Sequence, residues 1–273
     1  MINSTSSASE YRPKNFNDMI GQDAIVKTLN NAIKNDNIPQ ALLFCGPRGV
    51  GKTSCARILA KTINNLEDDF EYNIFELDAA SNNSVEDIRN ITEQIRIPPQ
   101  TGRYKVYIID EVHMLSNQAF NAFLKSLEEP PEHVVFILAT TEKNKILPTI
   151  LSRCQIYDFK KVDNESIIKL LSKICKEKKV KYEDGSLSLI AERSDGSIRD
   201  SLSIFDRLVS FTDSNLTISE VTSNLNVLDF NSYFKISELI NKKDIPGILN
   251  LYNDIYLSLI HISEPTRLLS ISY

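Results

Sequence analysis

From residue 41 onward the chain alternates between short, wholly apolar runs and longer stretches in which apolar residues recur every three or four positions. Ala41-Leu42-Leu43-Phe44-Cys45, closed by Gly46-Pro47, reads as a buried strand entering a tight loop. Asn73 to Leu77, Val106-Tyr107-Ile108-Ile109 and Val134-Val135-Phe136-Ile137-Leu138 read the same way, and the residues between them leave room for crossover helices. The pattern therefore predicts an α/β fold with a parallel sheet flanked by helices. Helical spacing runs from Asp18 to Lys34 through Ile25, Leu29 and Ile33, then onward from about Lys52, and from Ser116 to Glu128. Ser84 and Asp87 have the spacing of a capping box. They open a helix through Ile88, Ile91 and Ile95 that Pro98-Pro99 stops.

Beyond Phe159 the strand-like runs cease. Glu165 to Lys178, Gly185 to Arg193 and Ser197 to Val209 read as amphipathic helices; in the last, Ile198, Leu202, Phe205 and Val209 share one face and Gly196 marks the preceding turn. The organisation expected is a disordered leader over 1–9, an α/β domain over 10–162, a small helical domain over 163–218, a partial third helical domain over 219–257 and a tail over 258–273.

Composition sharpens this picture. With 273 residues, 42% hydrophobic and 25% charged, the chain is a globular protein of two or three domains. Its 31 Lys and Arg against 36 Asp and Glu leave a formal net charge of −5, too acidic for a general polyanion coat, so any nucleic-acid contact must be local. No apolar run approaches the roughly 18 residues that span a bilayer, and the Ser-rich start, Met1 to Glu10, lacks an apolar signal core, so a cytoplasmic protein with no membrane partner is expected. Cys45, Cys55, Cys154 and Cys175 lie far apart without a CxxC pair, as reduced core thiols do. His113, His133 and His261 lack ligand spacing and read as structural, so no metal site is assigned to them. The basic run Lys173 to Lys181 reads as a solvated helix face.

The strongest chemical signal is Gly46-Pro47-Arg48-Gly49-Val50-Gly51-Lys52-Thr53, a complete GxxxxGK[ST] match between a strand and a helix whose first turn continues with Ser54. Glycines let backbone N–H groups close around phosphate oxygens, the helix N-terminus adds its dipole, Lys52 reaches the β and γ phosphates, and Thr53 ligands Mg²⁺. Val106 to Ile109 ends in Asp110-Glu111, the pair needed to hold Mg²⁺ with Asp110 and polarise an attacking water with Glu111. The adjacent glutamate favours NTP hydrolysis over phosphorylation of a small molecule. Leu138-Ala139-Thr140-Thr141 ends another strand with hydroxyls that can orient that water. Arg153 and Arg199 are candidate charge stabilisers, because guanidinium donors match phosphoryl oxygens.

Together these segments resemble the tau/gamma clamp-loader subunits of bacterial DNA polymerase III, an AAA+ family. The likeness covers about Tyr11 to Leu257 and is carried by Tyr11-Arg12-Pro13 with Ile20-Gly21-Gln22, the phosphate loop, Glu76 to Asn82, Asp110 to Ser116 and Leu127 to His133. It implies an AAA+ αβα sandwich, a helical lid and the start of a helical collar. It also implies that Tyr11, Arg12, Pro13, Ile20 and Gly21 border the adenine of ATP, that Thr141 is the sensor-one hydroxyl and Arg199 the sensor-two arginine, and that Arg153 acts on a neighbouring subunit's ATP. The implied partners are further tau/gamma copies, the delta and delta-prime subunits, the sliding clamp (beta) and primer-template DNA, with Asn82, Asn83 and Ser84 presenting backbone N–H groups to a DNA phosphate.

Two rivals stand beside this reading: a non-hydrolysing structural subunit of the same loader, against which intact Lys52, Thr53, Asp110 and Glu111 argue, and another AAA+ DNA-remodelling motor, which would carry a remodelling domain after the lid. Family members usually insert a four-cysteine zinc module that Asn64 to Asn73 here lacks, so zinc is not carried over. The tail Ser258 to Tyr273 does not resemble the family's collar. Its stretch Leu259 to Arg267 reads as translated adapter DNA, so a truncated reading frame is expected.

Overall fold

The computed structural model describes residues 6–65, 73–99, 102–212, 214–225, 237–242, 244–250 and 252. In chain order the elements are α1 (Ser7–Glu10), α2 (Asp23–Lys34), β1 (Ala41–Cys45), α3 (Lys52–Asn64), β2 (Ile74–Asp78), α4 (Val85–Ile95), β3 (Lys105–Asp110), α5 (Asn117–Glu128), β4 (Val134–Thr140), α6 (Pro148–Leu151), β5 (Gln155–Asp158), α7 (Asn164–Lys178), β6 (Lys181–Tyr182), α8 (Asp184–Arg193), α9 (Ile198–Phe211), β7 (Asn215–Leu216) and α10 (Ile218–Leu225). Single 3₁₀ turns lie at Phe16–Asp18, Val112–Met114 and Lys143–Lys145.

The large sheet is parallel throughout, in the order β2-β3-β4-β1-β5. Its two inner strands with the longest apolar runs are closed to water on both faces: every residue of β1 and of β4 is buried. Side chains alternate between the faces, as pleating requires. Leu42, Phe44, Val106, Ile108, Val135 and Ile137 pack into one core with Cys55, Ile58 and Leu59 of α3. Leu43, Tyr107, Ile109, Phe136 and Leu138 pack into the other with Ile88 of α4 and Phe120 and Phe123 of α5. There Phe136 meets Phe123 edge-on at 5.1 Å and Tyr107 at 5.9 Å between ring centroids. Ser116 caps α5 by accepting a hydrogen bond from the Ala119 N–H at 3.2 Å, as a residue before a helix of this kind should.

The αβα sandwich with a parallel sheet is the fold the sequence predicts, with four differences. A fifth strand, β5, joins the edge beside β1. Its sequence Gln155-Ile156-Tyr157-Asp158 has only two apolar residues between polar ends, so it lacks the continuous apolar run of a central strand. Strand pairing also does not cease at Phe159: β6 and β7 form a two-residue parallel ladder, too short to leave a periodic signal. The helix expected from Asp18 begins at Asp23, since Phe16–Asp18 is a separate 3₁₀ turn capped by Asn15. Finally, α1 takes in Ser7 to Ser9, part of the expected disordered leader. Ser7 is buried and its carbonyl accepts from the Tyr11 N–H at 2.9 Å, a tie that the polar composition does not reveal. Residues 1–5 of that leader lie outside the described residues, as do 226–236, 243, 251 and 253–257 of the expected third domain and the whole tail 258–273.

By compactness the chain divides into two units, Met1–Lys169 with Ser194–Ser203, and Leu170–Arg193 with Ile204–Tyr273. The first contains the large sheet. In the second, α8 packs on α10, with Leu187, Ile190, Leu216, Val221 and Leu225 buried, and the Glu183 carboxylate accepts from the Ile218 N–H at 2.8 Å to start α10. No described helix is long and apolar enough to cross a membrane.

The four cysteines are free thiols. Burial pushes Cys55 up to about 12 and Cys45, Cys154 and Cys175 up to about 11. A thiol whose pKa is higher folded than unfolded keeps its full contribution to stability below the unfolded value near 9 and loses it as pH rises towards the folded one. The urea midpoint should therefore fall between about pH 9 and pH 11, and Cys55→Ala should flatten that fall; parallel pH profiles for the two proteins would contradict this.

Candidate nucleotide-binding site

Parallel strands place their C-terminal ends at one edge of the sheet, and the site is built there. β1 runs into the loop Gly46 to Gly51, tied to β4 by the Gly46 N–H donating to the Thr140 carbonyl at 3.2 Å. Gly49 and Gly51 adopt left-handed backbone, φ +74° and +100°, and Gly51 is the N-cap of α3. At Gly49 no side chain fits, because a β-carbon would lie 2.1 Å from Ser197 Oγ and 3.1 Å from Arg199 Cβ. The segment Ser194–Ser203 thus lies against the loop, and the Arg199 N–H donates to the Gly49 carbonyl at 3.3 Å.

A cleft of about 980 Å³, open to solvent, is lined by Tyr11, Arg12, Pro13 and Ile20 from the N-terminal segment, Arg48 to Ser54 from the loop and α3, Asp110 and Glu111 after β3, and Arg199. These are fourteen of the residues expected at the site. Gly46 and Pro47 stand behind the cleft, where their carbonyls accept from the Lys52 Nζ at 2.8 and 2.7 Å. Burial lowers the Lys52 pKa, opposed by the nearby carboxylates of Glu111 and Asp110. Gly21, φ +71°, packs against Val162 and is not part of the lining. Arg12 donates to Ser54 Oγ at 3.3 Å, and burial, then the neighbouring Arg57 and Arg199 cations, pull its pKa down.

Thr53 Oγ1 donates to Asp110 Oδ2 at 2.6 Å, so one hydroxyl and one carboxylate meet at the loop end, a hard-oxygen set suited to Mg²⁺. The glycine cradle, with no room for a β-carbon, and this pair fit a nucleotide triphosphate and its metal ion. Among the described residues no group of three or more His, Cys, Asp or Glu side chains is arranged to hold a metal by itself.

Glu111 has left-handed backbone, φ +47°, unusual for a residue with a β-carbon. Its Oε2 accepts from the Thr141 N–H at 3.2 Å and Oγ1 at 2.9 Å. Thr141 is thus brought to Glu111 although it does not line the cleft. Arg153 is not brought to this cleft: its guanidinium donates to Glu128 at 2.7 Å and to the Thr149 carbonyl at 2.7 Å. The expected phosphate contact at Asn82 needs correction, since its N–H already donates to the Asp78 carbonyl at 3.0 Å in a turn. Sequence reading missed Ala8, Met19, Ile198 and Leu202, which line the cleft, and His113 and Glu142, which flank Glu111 and Thr140. Met19 carried a signal beside Ile20; the others become neighbours only through the fold.

Comparison with known proteins identifies this arrangement. A family model described as DNA polymerase III, delta subunit, matches residues 21–74 and 71–163, and one described as DNA polymerase III clamp loader subunit, ATPase lid domain, matches 166–214. DNA polymerase III subunit gamma of Buchnera aphidicola subsp. Baizongia pistaciae is 38% identical over 97% of this chain and 75% of its own length. The chain belongs to the DNA polymerase III gamma/tau family. Another gamma/tau relative, DNA polymerase III subunit tau of Bacillus subtilis, is 41% identical over 90% of this chain but only 46% of itself, so the chain spans about half the length of that relative. Among solved structures, Thermotoga maritima RuvB, a Holliday junction branch migration motor, superposes with a TM-score of 0.64 at 22% identity, covering 86% of this chain and 80% of RuvB. At that identity the likeness is one of fold, the AAA+ αβα sandwich, and the lid match extends the gamma/tau assignment past the sheet.

Gly49→Ala combines a left-handed backbone with a clash against Ser197, strain of about 1–3 kcal/mol. It should weaken binding of a fluorescent ATP analogue by about tenfold or more, and Ser197→Gly in the same chain should recover part of that loss. Unaltered binding in Gly49→Ala would show that the loop does not need this contact geometry.

Proposed function

We propose that this chain is an ATP-hydrolysing motor subunit of the DNA polymerase III clamp loader, which uses ATP to load the sliding clamp onto primer-template DNA. The observation that carries the reading is that one cleft gathers the phosphate loop, the Thr53–Asp110 pair, Glu111 and Arg199, with Thr141 bonded to Glu111 from outside the lining. A non-hydrolysing subunit would have no need of the full set.

The roles we propose are supported by these contacts. The loop N–H groups and the start of α3 bind phosphate oxygens, and Lys52 exchanges the Gly46 and Pro47 carbonyls for the β and γ phosphates. Mg²⁺, held by Thr53 and Asp110, supplies charge neutralisation on the phosphates when bound. Glu111 orients the attacking water and accepts its proton, with Thr141 fixing the carboxylate. Arg199 offers a guanidinium to the same phosphates from the cleft wall. Tyr11, Pro13 and Ile20 line the part of the cleft suited to the base. Arg153 serves a neighbouring copy's ATP, with Glu128 as its partner until then.

The test is steady-state ATP hydrolysis by this chain mixed with delta and delta-prime subunits, with and without clamp and primer-template DNA. Stimulation by both is expected; nucleotide binding with no turnover under any condition would overturn the motor assignment. In that assembly Lys52→Ala should weaken ATP binding, whereas Glu111→Gln should keep binding and stop turnover. Equal loss of binding in the two variants would contradict these roles. Arg153→Ala should leave nucleotide affinity near normal while lowering assembly turnover about a thousandfold, the scale of an arginine finger; unchanged turnover would remove Arg153 from the mechanism.

A further inference from the structure

His113 reads as a structural histidine in the sequence, yet the fold places it within the machinery around Glu111. It sits in the 3₁₀ turn Val112–Met114 directly after the acidic pair, its side chain only 5% exposed. Nδ1 lies 3.0 Å from Thr140 Oγ1 and 3.4 Å from Glu111 Oε2, while Nε2 lies 3.4 Å from the Glu142 carboxylate on the opposite side. The hydroxyl it meets is not free to turn away, because Thr140 Oγ1 also accepts from the Glu142 N–H at 3.0 Å. The imidazole is therefore wedged with Nδ1 toward both the residue after β3 and the last residue of β4, and Nε2 toward Glu142.

What lies on the Nδ1 side matters most. Glu111 holds a left-handed backbone that a side-chain-bearing residue adopts only when its surroundings impose it. Its Oε2 is fixed from β4 by both groups of Thr141 and approached from its own turn by His113. Three groups from two elements thus converge on one carboxylate oxygen, and His113 also grips the Thr140 hydroxyl next door to Thr141.

We infer that His113 is a positioning residue: through Nδ1 it holds the Glu111 carboxylate and the end of β4 in the register that aims Glu111 at the attacking water. This rests on the reading of Glu111 as the water-activating carboxylate. Displacements of about 1 Å at such a group cost up to a hundredfold in rate without altering ground-state binding.

The experiment compares His113→Asn, whose amide nitrogen stands in for Nδ1, with His113→Gln, whose amide reaches the Nε2 position and leaves the Nδ1 side empty. His113→Phe serves as the apolar control. Each is assayed in the assembly with delta and delta-prime for kcat and KM, for binding of a fluorescent ATP analogue, and for thermal midpoint. Expected are a kcat about tenfold down in His113→Gln with KM and affinity within twofold, substantial recovery in His113→Asn, and less than twofold further loss when His113→Gln is added to Glu111→Gln. The Asn–Gln contrast stands even where His113→Phe lowers the midpoint. Equal kcat in the Asn and Gln variants, a loss expressed in KM, or full additivity with Glu111→Gln would each overturn the inference. Parental turnover in Glu111→Gln alone would instead overturn the underlying reading of Glu111, whereas loss of turnover in Glu111→Gln beside a fully active His113→Gln would remove His113 only.

Discussion

The parallel direction of the five strands is the constraint on which the site depends. Because β1, β3 and β4 all run the same way, the residues that follow them leave the sheet at one edge: Gly46 after Cys45, Glu111 after Asp110, Thr141 after Thr140. β4 lies between β1 and β3, so its end necessarily falls between the phosphate loop and the acidic pair. Register then does the fine placement. Cys45 is opposite Thr140, and the Gly46 N–H continues the ladder onto the Thr140 carbonyl, which fixes where the loop begins relative to Thr141. A strand entering in the opposite sense would send its terminal residues to the far edge and dismantle the cleft, however well its side chains packed.

That dependence explains which parts were legible in the sequence. Strands sealed on both faces must be continuously apolar, so β1, β3 and β4 declared themselves, together with the loop and acidic pair that terminate them. β5 did not, since this short edge strand has exposed Gln155 and Asp158 at its ends and only two apolar residues between them. The Thr140-Thr141 pair was ambiguous in the sequence because both are hydroxyls at a strand end. The structure separates them by pleat, with Thr141 turned to Glu111 and Thr140 to His113. His113 and Glu142 were illegible for a different reason: 29 positions separate them, and only the adjacency of β3 and β4 brings the two together. Arg199 was legible as an arginine suited to phosphate, but its place beside Gly49 depends on a return of the chain that no local pattern encodes.

Four of the groups proposed for phosphate chemistry are engaged within the chain. Lys52 is held by two carbonyls, Thr53 by Asp110, Glu111 by Thr141, and Arg153 by Glu128. For a buried ammonium such as Lys52 this is a necessity, because an unpaired cation there would carry the full desolvation penalty. On the proposed function, nucleotide binding at Lys52 would be an exchange of partners rather than the filling of a vacant donor, its favourable part the difference between a carbonyl dipole and a phosphate charge. The exchange is asymmetric around the cleft. Lys52 trades two neutral acceptors for a full negative charge and gains by the trade. Thr53 can keep its 2.6 Å bond to the Asp110 carboxylate, because the hydroxyl donates its proton there and leaves oxygen lone pairs for a cation. In its proposed role Arg153 would give up the Glu128 carboxylate on its own surface for phosphate on another subunit, a near-balanced trade between two anions. On the proposed function, binding at the loop would be driven locally, while the arginine's move would be decided by how a neighbouring copy is placed, a division under which one chain would bind ATP alone and hydrolyse it in company.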